Sequence, residues 1–127
     1  MHVLICDDDA AFGARMADYI HDYFEARSVQ LQTVVCTGAA EALRTPYLEL
    51  YQLAFLDVDM PGTNGIALGR ELKQRSPDIR LVYVSAYLEF APEGYTVNAY
   101  RYLLKRDIAR MLPKCLDDLL AAFTDQH

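Results

Sequence analysis

Apolar and polar positions follow two periods along this chain, and the switches between them mark its elements. Residues 2–6 (His2-Val3-Leu4-Ile5-Cys6) are a short apolar run of the kind buried in a parallel sheet. Phe12, Met16, Ile20 and Phe24 then recur every four residues, which predicts a helix from about Asp9 to Arg27. Val29 to Cys36 alternates and is rich in β-branched residues, so it reads as a strand. Gly38 to Tyr51 is helical in composition, with Pro46 expected to break it. Leu53 to Asp57 is the next strand. Ile66, Gly69 and Leu72 share one helical face, in a helix that should stop before Ser76-Pro77. Arg80 to Ser85 and Arg101 to Leu104 read as strands, and the Glu89–Thr96 segment between them carries Pro92 and Gly94, so it encodes a short, weak helix at best. Leu116, Leu119, Leu120 and Phe123 make a last helical stripe, with Pro113 expected in its first turn and Asp107–Met111 as a separate turn before it.

Five β-α units in series predict one α/β domain: a five-stranded parallel sheet, order 2-1-3-4-5, with helices on both faces in the flavodoxin-like manner. The length of 127 residues suits a single domain spanning 1–127 that needs no staples. A composition 53% hydrophobic and 24% charged is that of a water-soluble globular protein, and no apolar run nears the roughly 20 residues of a membrane helix. The expectation is a cytoplasmic protein with no membrane contact. A net charge of −6 argues against direct nucleic-acid contact by this domain. Cys6, Cys36 and Cys115 lack metal-type spacing, so reduced thiols are expected, although Cys6 and Cys36 come close if their strands pair.

In this strand order the topological switch point lies between strands 1 and 3, and ligands bind outside the carboxyl ends of the strands there. Asp7, Asp8 and Asp9 follow the first strand, Asp57 ends the third, Ser85 ends the fourth and Lys105 follows the fifth. Clustered carboxylates raise one another's pKa or recruit a cation, and a hard divalent ion such as Mg²⁺ suits oxygen donors. Asp8 and Asp57 are the expected direct ligands, with the backbone carbonyl of Asp59 beside them and Asp7 acting through water. A cation there turns the cluster into a phosphate acceptor, with Asp57 as nucleophile, Lys105 as a point charge on the phosphate oxygens and the Ser85 hydroxyl as a hydrogen-bond donor. Each piece also has a plain structural reading. The triplet can simply cap a helix, with Asp9 as the N-cap, and Asp57-Val58-Asp59 before Pro61-Gly62 can be only a turn. All four pieces at strand ends in the right order are harder to reach by accident.

Ile5-Cys6-Asp7-Asp8-Asp9, Leu56-Asp57-Val58-Asp59-Met60-Pro61-Gly62 with Gly65, Ser85-Ala86 and Tyr102-Leu103-Leu104-Lys105 together resemble the CheY-like receiver domain of response regulators. The stretch from Val84-Ser85-Ala86-Tyr87 through Tyr95 and Asn98-Ala99-Tyr100 is most similar to receivers of LytR/AgrA-type regulators. The resemblance implies a signalling domain rather than an enzyme, phosphorylated on Asp57 by a sensor histidine kinase with Mg²⁺. It implies a switch pair, Ser85 and Tyr102, that alters the surface of the fourth helix, the last strand and the C-terminal helix. It also implies homodimerisation on phosphorylation and a transcriptional output through a LytTR-type DNA-binding domain lying outside this chain.

The chain departs from that family where Arg106 follows Lys105 in place of proline. A cis bond to a non-proline residue costs roughly 2.5–4 kcal/mol, so a trans Lys105–Arg106 bond and an altered loop are expected. Asp59 and Tyr87 are expected to flank the mouth of the site and to set the phosphoryl lifetime by restricting water. Three rival readings fit the residues less well. A haloacid-dehalogenase-like phosphatase would carry its nucleophile after the first strand and needs more chain. An EF-hand loop starting at Asp57 would have Pro61 at a ligand position and Leu68 in place of its closing glutamate. The third is a phosphorylation-independent interaction module on the same fold, against which the intact Asp7, Asp8, Asp57, Ser85 and Lys105 count.

Overall fold

A computed structural model of the chain describes residues 1–62, 64–86 and 99–124. The expectations for Tyr87, Tyr95 and the Glu89–Thr96 segment fall outside those residues. Within them the strands are β1 (His2–Cys6), β2 (Gln32–Cys36), β3 (Leu53–Asp57), β4 (Arg80–Ser85) and β5 (Arg101–Leu104). They form one parallel sheet in the order β2-β1-β3-β4-β5, as the alternation of elements predicts. Helices α1 (Ala10–Glu25), α2 (Ala39–Leu43), α3 (Gly65–Arg75) and α4 (Ile108–Thr124) cover it, with short 3₁₀ turns at Leu48–Leu50 and Lys105–Asp107.

Side chains of a strand point alternately to the two faces, so each central strand feeds two cores. Val3, Ile5, Leu53, Phe55, Val82 and Val84 pack under α1 and α4, against Ile20, Phe24, Leu116 and Leu119. Their neighbours Leu4, Cys6, Ala54, Leu56, Leu81 and Tyr83 pack under α3, against Leu68 and Leu72. Burial of such a large side chain contributes about 1.5–3 kcal/mol. Continuous apolar runs in β1, β3 and β4 therefore specify strands covered on both sides.

Three boundaries differ from the sequence pattern. β2 begins at Gln32 rather than Val29: it is an edge strand whose one neighbour, β1, begins at His2, opposite Gln32. Residues 29–31 have no ladder to join, although the Met1 amino group donates to the Gln30 carbonyl at 2.9 Å. The helix after Gly38 ends at Leu43, because the residue before Pro46 is driven out of the helical region. Tyr47 follows in the left-handed region at φ 59°. Asp107–Met111 does not form a separate turn. Helix α4 starts at Ile108 and runs through Pro113, which stands in its interior rather than its first turn. The ring costs a backbone hydrogen bond there, and burial of Leu112, Cys115, Leu116 and Leu119 offsets it.

Asp9 is the N-cap of α1, as expected, accepting the Phe12 N–H at 3.1 Å. Asn64 plays the same part for α3, accepting the Ala67 N–H at 2.9 Å. The cysteines are reduced, and Cys6 stands opposite Cys36 in the β1–β2 register. Burial pushes the Cys6 thiol up to about 12 and the Cys36 thiol to about 11, so neither is a ready thiolate. No described helix is long and apolar enough to cross a membrane.

Candidate functional site at the carboxyl ends of the strands

The β1–α1 junction carries the acidic triplet, and its three members have different places. Asp7 is buried and its Oδ1 accepts the Asp9 N–H at 2.8 Å, which fixes the carboxylate just beyond the end of β1. Asp8 is exposed, and Asp9 belongs to the cap. Beside them Asp57, the last residue of β3, is 3% exposed, so it lies on the floor of the site and is less open than a strand-exit residue suggests. Its Oδ1 accepts the Asp59 N–H at 3.2 Å.

The backbone around Asp57 is held on both sides. The Val58 N–H donates to the Val84 carbonyl at 3.1 Å, and the Gly65 N–H to the Val58 carbonyl at 3.0 Å. A Cβ on Gly65 would run into the Asp57 carbonyl oxygen and lie 3.1 Å from Val58 Cα. A glycine there lets α3 begin against the end of β3, close to the acidic pocket.

One carboxylate oxygen from each of Asp7, Asp8 and Asp57 lies within 4.8 Å of the others. Among the described residues, Lys105 answers them. Lys105 Nζ is 3.0 Å from Asp7 Oδ2, 3.3 Å from Asp7 Oδ1 and 3.6 Å from Asp57 Oδ2. Its pairing is thus closer to Asp7 than to Asp57. Burial works against the ammonium, yet the Asp7 hydrogen bond and the charges of Asp57 and Asp7 outweigh it and hold its pKa above the ordinary value. Asp57 moves the other way from a stabilised carboxylate. Burial first, then the Asp7 charge and the hydrogen bond with Asp8, push its pKa up to about 7, against the pull of Lys105 and the Asp59 N–H. The pocket holds more negative charge than one lysine neutralises, and its donors are hard oxygens. That set fits a divalent cation of the Mg²⁺ type.

Ser85 ends β4 and is fully buried, one residue beyond Val84, the register partner of Asp57. Tyr102 is partly buried in β5 directly opposite Tyr83, their ring centroids 6.3 Å apart. The described peptide bonds are all trans, Lys105–Arg106 included, and the chain turns into the Lys105–Asp107 3₁₀ segment there. The topology therefore brings Asp7, Asp8, Asp57, Ser85 and Lys105 to one rim, with Asp59 beside it. Sequence reasoning missed Phe12 as a neighbour of the site. Its ring centroid is 4.6 Å from Lys105 Nζ, whereas the four-residue apolar spacing assigned it to the core.

The model of the response regulator receiver domain family matches residues 3–116. The chain is a response regulator receiver domain. It is 33% identical over 125 residues to an uncharacterized response regulatory protein of Shewanella oneidensis, covering 97% of this chain and 50% of that protein. It is 29% identical over 105 residues to the sensory transduction protein LytT of Enterococcus faecalis, covering 83% of this chain and 42% of LytT. The receiver thus spans about half the length of the relatives it matches. The response regulator TrrA of Thermotoga maritima, solved in complex with Mg²⁺-BeF, shares the fold with a TM-score of 0.68 at 20% identity, over 93% of this chain and 97% of that one. The receiver is a signalling domain of the two-component type, and LytR- and LytT-type regulators are among its relatives.

Proposed function

We propose that this receiver accepts a phosphoryl group on Asp57 from a sensor histidine kinase, with Mg²⁺ bound in the acidic pocket. The observation that carries the proposal is the close trio of Asp7, Asp8 and Asp57 with Lys105 reaching both buried members. Asp8, Asp57 and the Asp59 carbonyl would hold the ion directly and Asp7 through water, and the ion would supply charge neutralisation for carboxylates and phosphate oxygens alike. The mixed Mg²⁺-BeF complex of TrrA supports this.

An Asp57 oxygen, deprotonated, attacks the phosphorus of a phosphohistidine. The P–N bond breaks, its electron pair leaves with the imidazole nitrogen, and Asp57 becomes an acyl phosphate. Asp59 contributes its N–H, which keeps one Asp57 oxygen occupied while the other faces the donor. Lys105, already over the pocket, pairs with the new phosphate oxygens. The Ser85 hydroxyl donates to the phosphate, and Tyr102 turns inward as Ser85 moves. The surface of β5, α4 and the segment between β4 and β5 then changes and drives homodimerisation. Asp59 restricts water at the mouth and so helps set how long the phosphoryl group lasts.

The output is transcriptional, through a LytTR-type DNA-binding domain outside this chain, and the receiver itself does not touch nucleic acid. The names of its relatives, transcriptional regulators of the LytR type among them, support that reading. The setting is cytoplasmic, where a kinase can reach it.

Intact mass after incubation with acetyl phosphate and Mg²⁺ tests the proposal. One added phosphoryl group is expected, and none in Asp57→Ala. A wild-type chain that gains nothing with any small donor would instead be an interaction module that works without phosphorylation.

A further inference from the structure

Lys105 is held from two sides. The carboxylates of Asp7 and Asp57 stand on one, at 3.0 and 3.6 Å from Nζ. The ring of Phe12 stands on the other, its centroid 4.6 Å away. An ammonium within about 6 Å of a ring centroid is attracted by the ring's negative face. The position of Phe12 is itself determined by the site. Its N–H donates to Asp9 Oδ1 at 3.1 Å, and the Asp9 N–H donates to Asp7 Oδ1 at 2.8 Å. Hydrogen bonds thus link Asp7 through the Asp9 cap to the backbone of Phe12, and the ring completes the circuit at Lys105. Burial agrees with this placement. Met16, Ile20 and Phe24 of the same stripe are buried, while Phe12 at its end is partly exposed at the rim.

We propose that Phe12 is a positioning residue for Lys105, its ring face holding the ammonium over the carboxylate pocket and covering its outer side. The inference rests on the phosphoacceptor reading given above. A lysine is a compact charge on a flexible four-carbon stem with three rotatable donors. The side chain of Lys105 remains 22% exposed, so without the ring its ammonium has an open path to solvent. With the ring in place it stays where the oxygens of an incoming phosphoryl group would arrive, and the entropy of aligning it is spent before the donor binds.

Phe12 also packs on the core shared by α1 and α4, so the test separates ring face from bulk. Phe12→Leu keeps an apolar side chain without a π face, and Phe12→Tyr keeps the face. Two readouts are taken on the full chain: the initial rate of phosphoryl uptake from acetyl phosphate with Mg²⁺, and the ¹H shift of the Lys105 Cε protons. Wild type and Phe12→Tyr should show an upfield ring-current shift that Phe12→Leu loses. Uptake should fall about fivefold in Phe12→Leu, the equivalent of about 1 kcal/mol, and stay within about twofold in Phe12→Tyr. Should Phe12→Leu lose cooperative unfolding, Phe12→Met takes its place. Wild-type uptake in the leucine or methionine variant, or a wild-type Cε shift indifferent to the ring, overturns the proposal. A wild type that takes no phosphoryl group defeats the phosphoacceptor reading instead, and the ring-current comparison still decides whether Phe12 positions the lysine.

Discussion

At Asp57 the proposed role and the surroundings conflict: a phosphoryl acceptor must be ionised to attack, and a buried carboxylate beside another resists ionisation. Its pKa of about 7 reflects burial first and the Asp7 charge second. A carboxyl whose folded pKa lies above its unfolded value near 3.9 binds more protons in the native state, so stability falls as pH rises from about 4 to 7. In chelator, the urea midpoint should therefore drop between pH 5 and pH 8. Mg²⁺ should recover it at pH 8, and Asp57→Asn should flatten the dependence; a midpoint in chelator that rises over that range would contradict this account. Tyr83 makes a second residue-scale case. It is fully buried, and among the described residues its hydroxyl has no hydrogen-bond partner. An unsatisfied buried hydroxyl costs about 1–3 kcal/mol, so Tyr83→Phe should raise the unfolding free energy by about 1 kcal/mol in denaturant titration. The acids and Lys105 were legible in the sequence because strand ends announce themselves. The roles of Phe12 and Tyr83 were not, because an aromatic residue in an apolar stripe looks the same whether it faces a core, a glycine or an ammonium.

The elements were legible where one periodicity ruled and illegible where a neighbour decided. β1, β3, β4 and β5 match the apolar runs end to end. β2 does not, because its length depends on where β1 begins. α3 shows how a helix is seated by its glycines. Gly65 meets the backbone of β3, and a Cβ on Gly69 would collide with the Tyr83 hydroxyl and lie 3.0 Å from Leu81 Cδ1. Overpacking of this kind typically costs about 1–3 kcal/mol. Gly65→Ala should lower stability by at least that amount and slow phosphoryl uptake, because the displaced carbonyl belongs to Asp57. Gly69→Ala should cost a similar stability with uptake less affected, since Gly69 lies one helical turn farther from Asp57. Equal losses of uptake in the two variants would mean that α3 transmits any displacement to the site. In α4, Pro113 sits where a backbone donor belongs. Pro is about 3 kcal/mol worse than Ala in a helix interior, so Pro113→Ala should stabilise the chain by about 1–3 kcal/mol, read from thermal unfolding.

Across the whole molecule the site and the proposed output face lie at different places on one sheet, and Lys105 links them by chain connection. It follows directly on β5, and the turn it opens leads into α4. The β5–α4 surface carries Arg101, Arg110 and Lys114 together with Asp107 and Asp118, and Arg101 Nη2 reaches Asp118 Oδ2 at 3.0 Å. The chain as a whole carries −6, so two copies repel over distances set by the Debye length, about 30 Å at 0.01 M salt and about 8 Å at 0.15 M. The dimerisation proposed for phosphorylated copies through this face would have to overcome that repulsion with locally complementary charge. Light scattering at 0.15 M salt should show a monomer before phosphorylation, a dimer after it, and a monomer throughout for Asp57→Ala. Reversing one charge separates folding from assembly. Both partners of the Arg101–Asp118 pair are well exposed, and such pairs contribute at most about 1 kcal/mol to stability. Arg101→Glu should therefore fold and take up phosphoryl like wild type, yet fail to dimerise, because it sets an acid against Asp118 on both copies. A phosphorylated Arg101→Glu dimer of wild-type affinity would move the output surface away from β5 and α4.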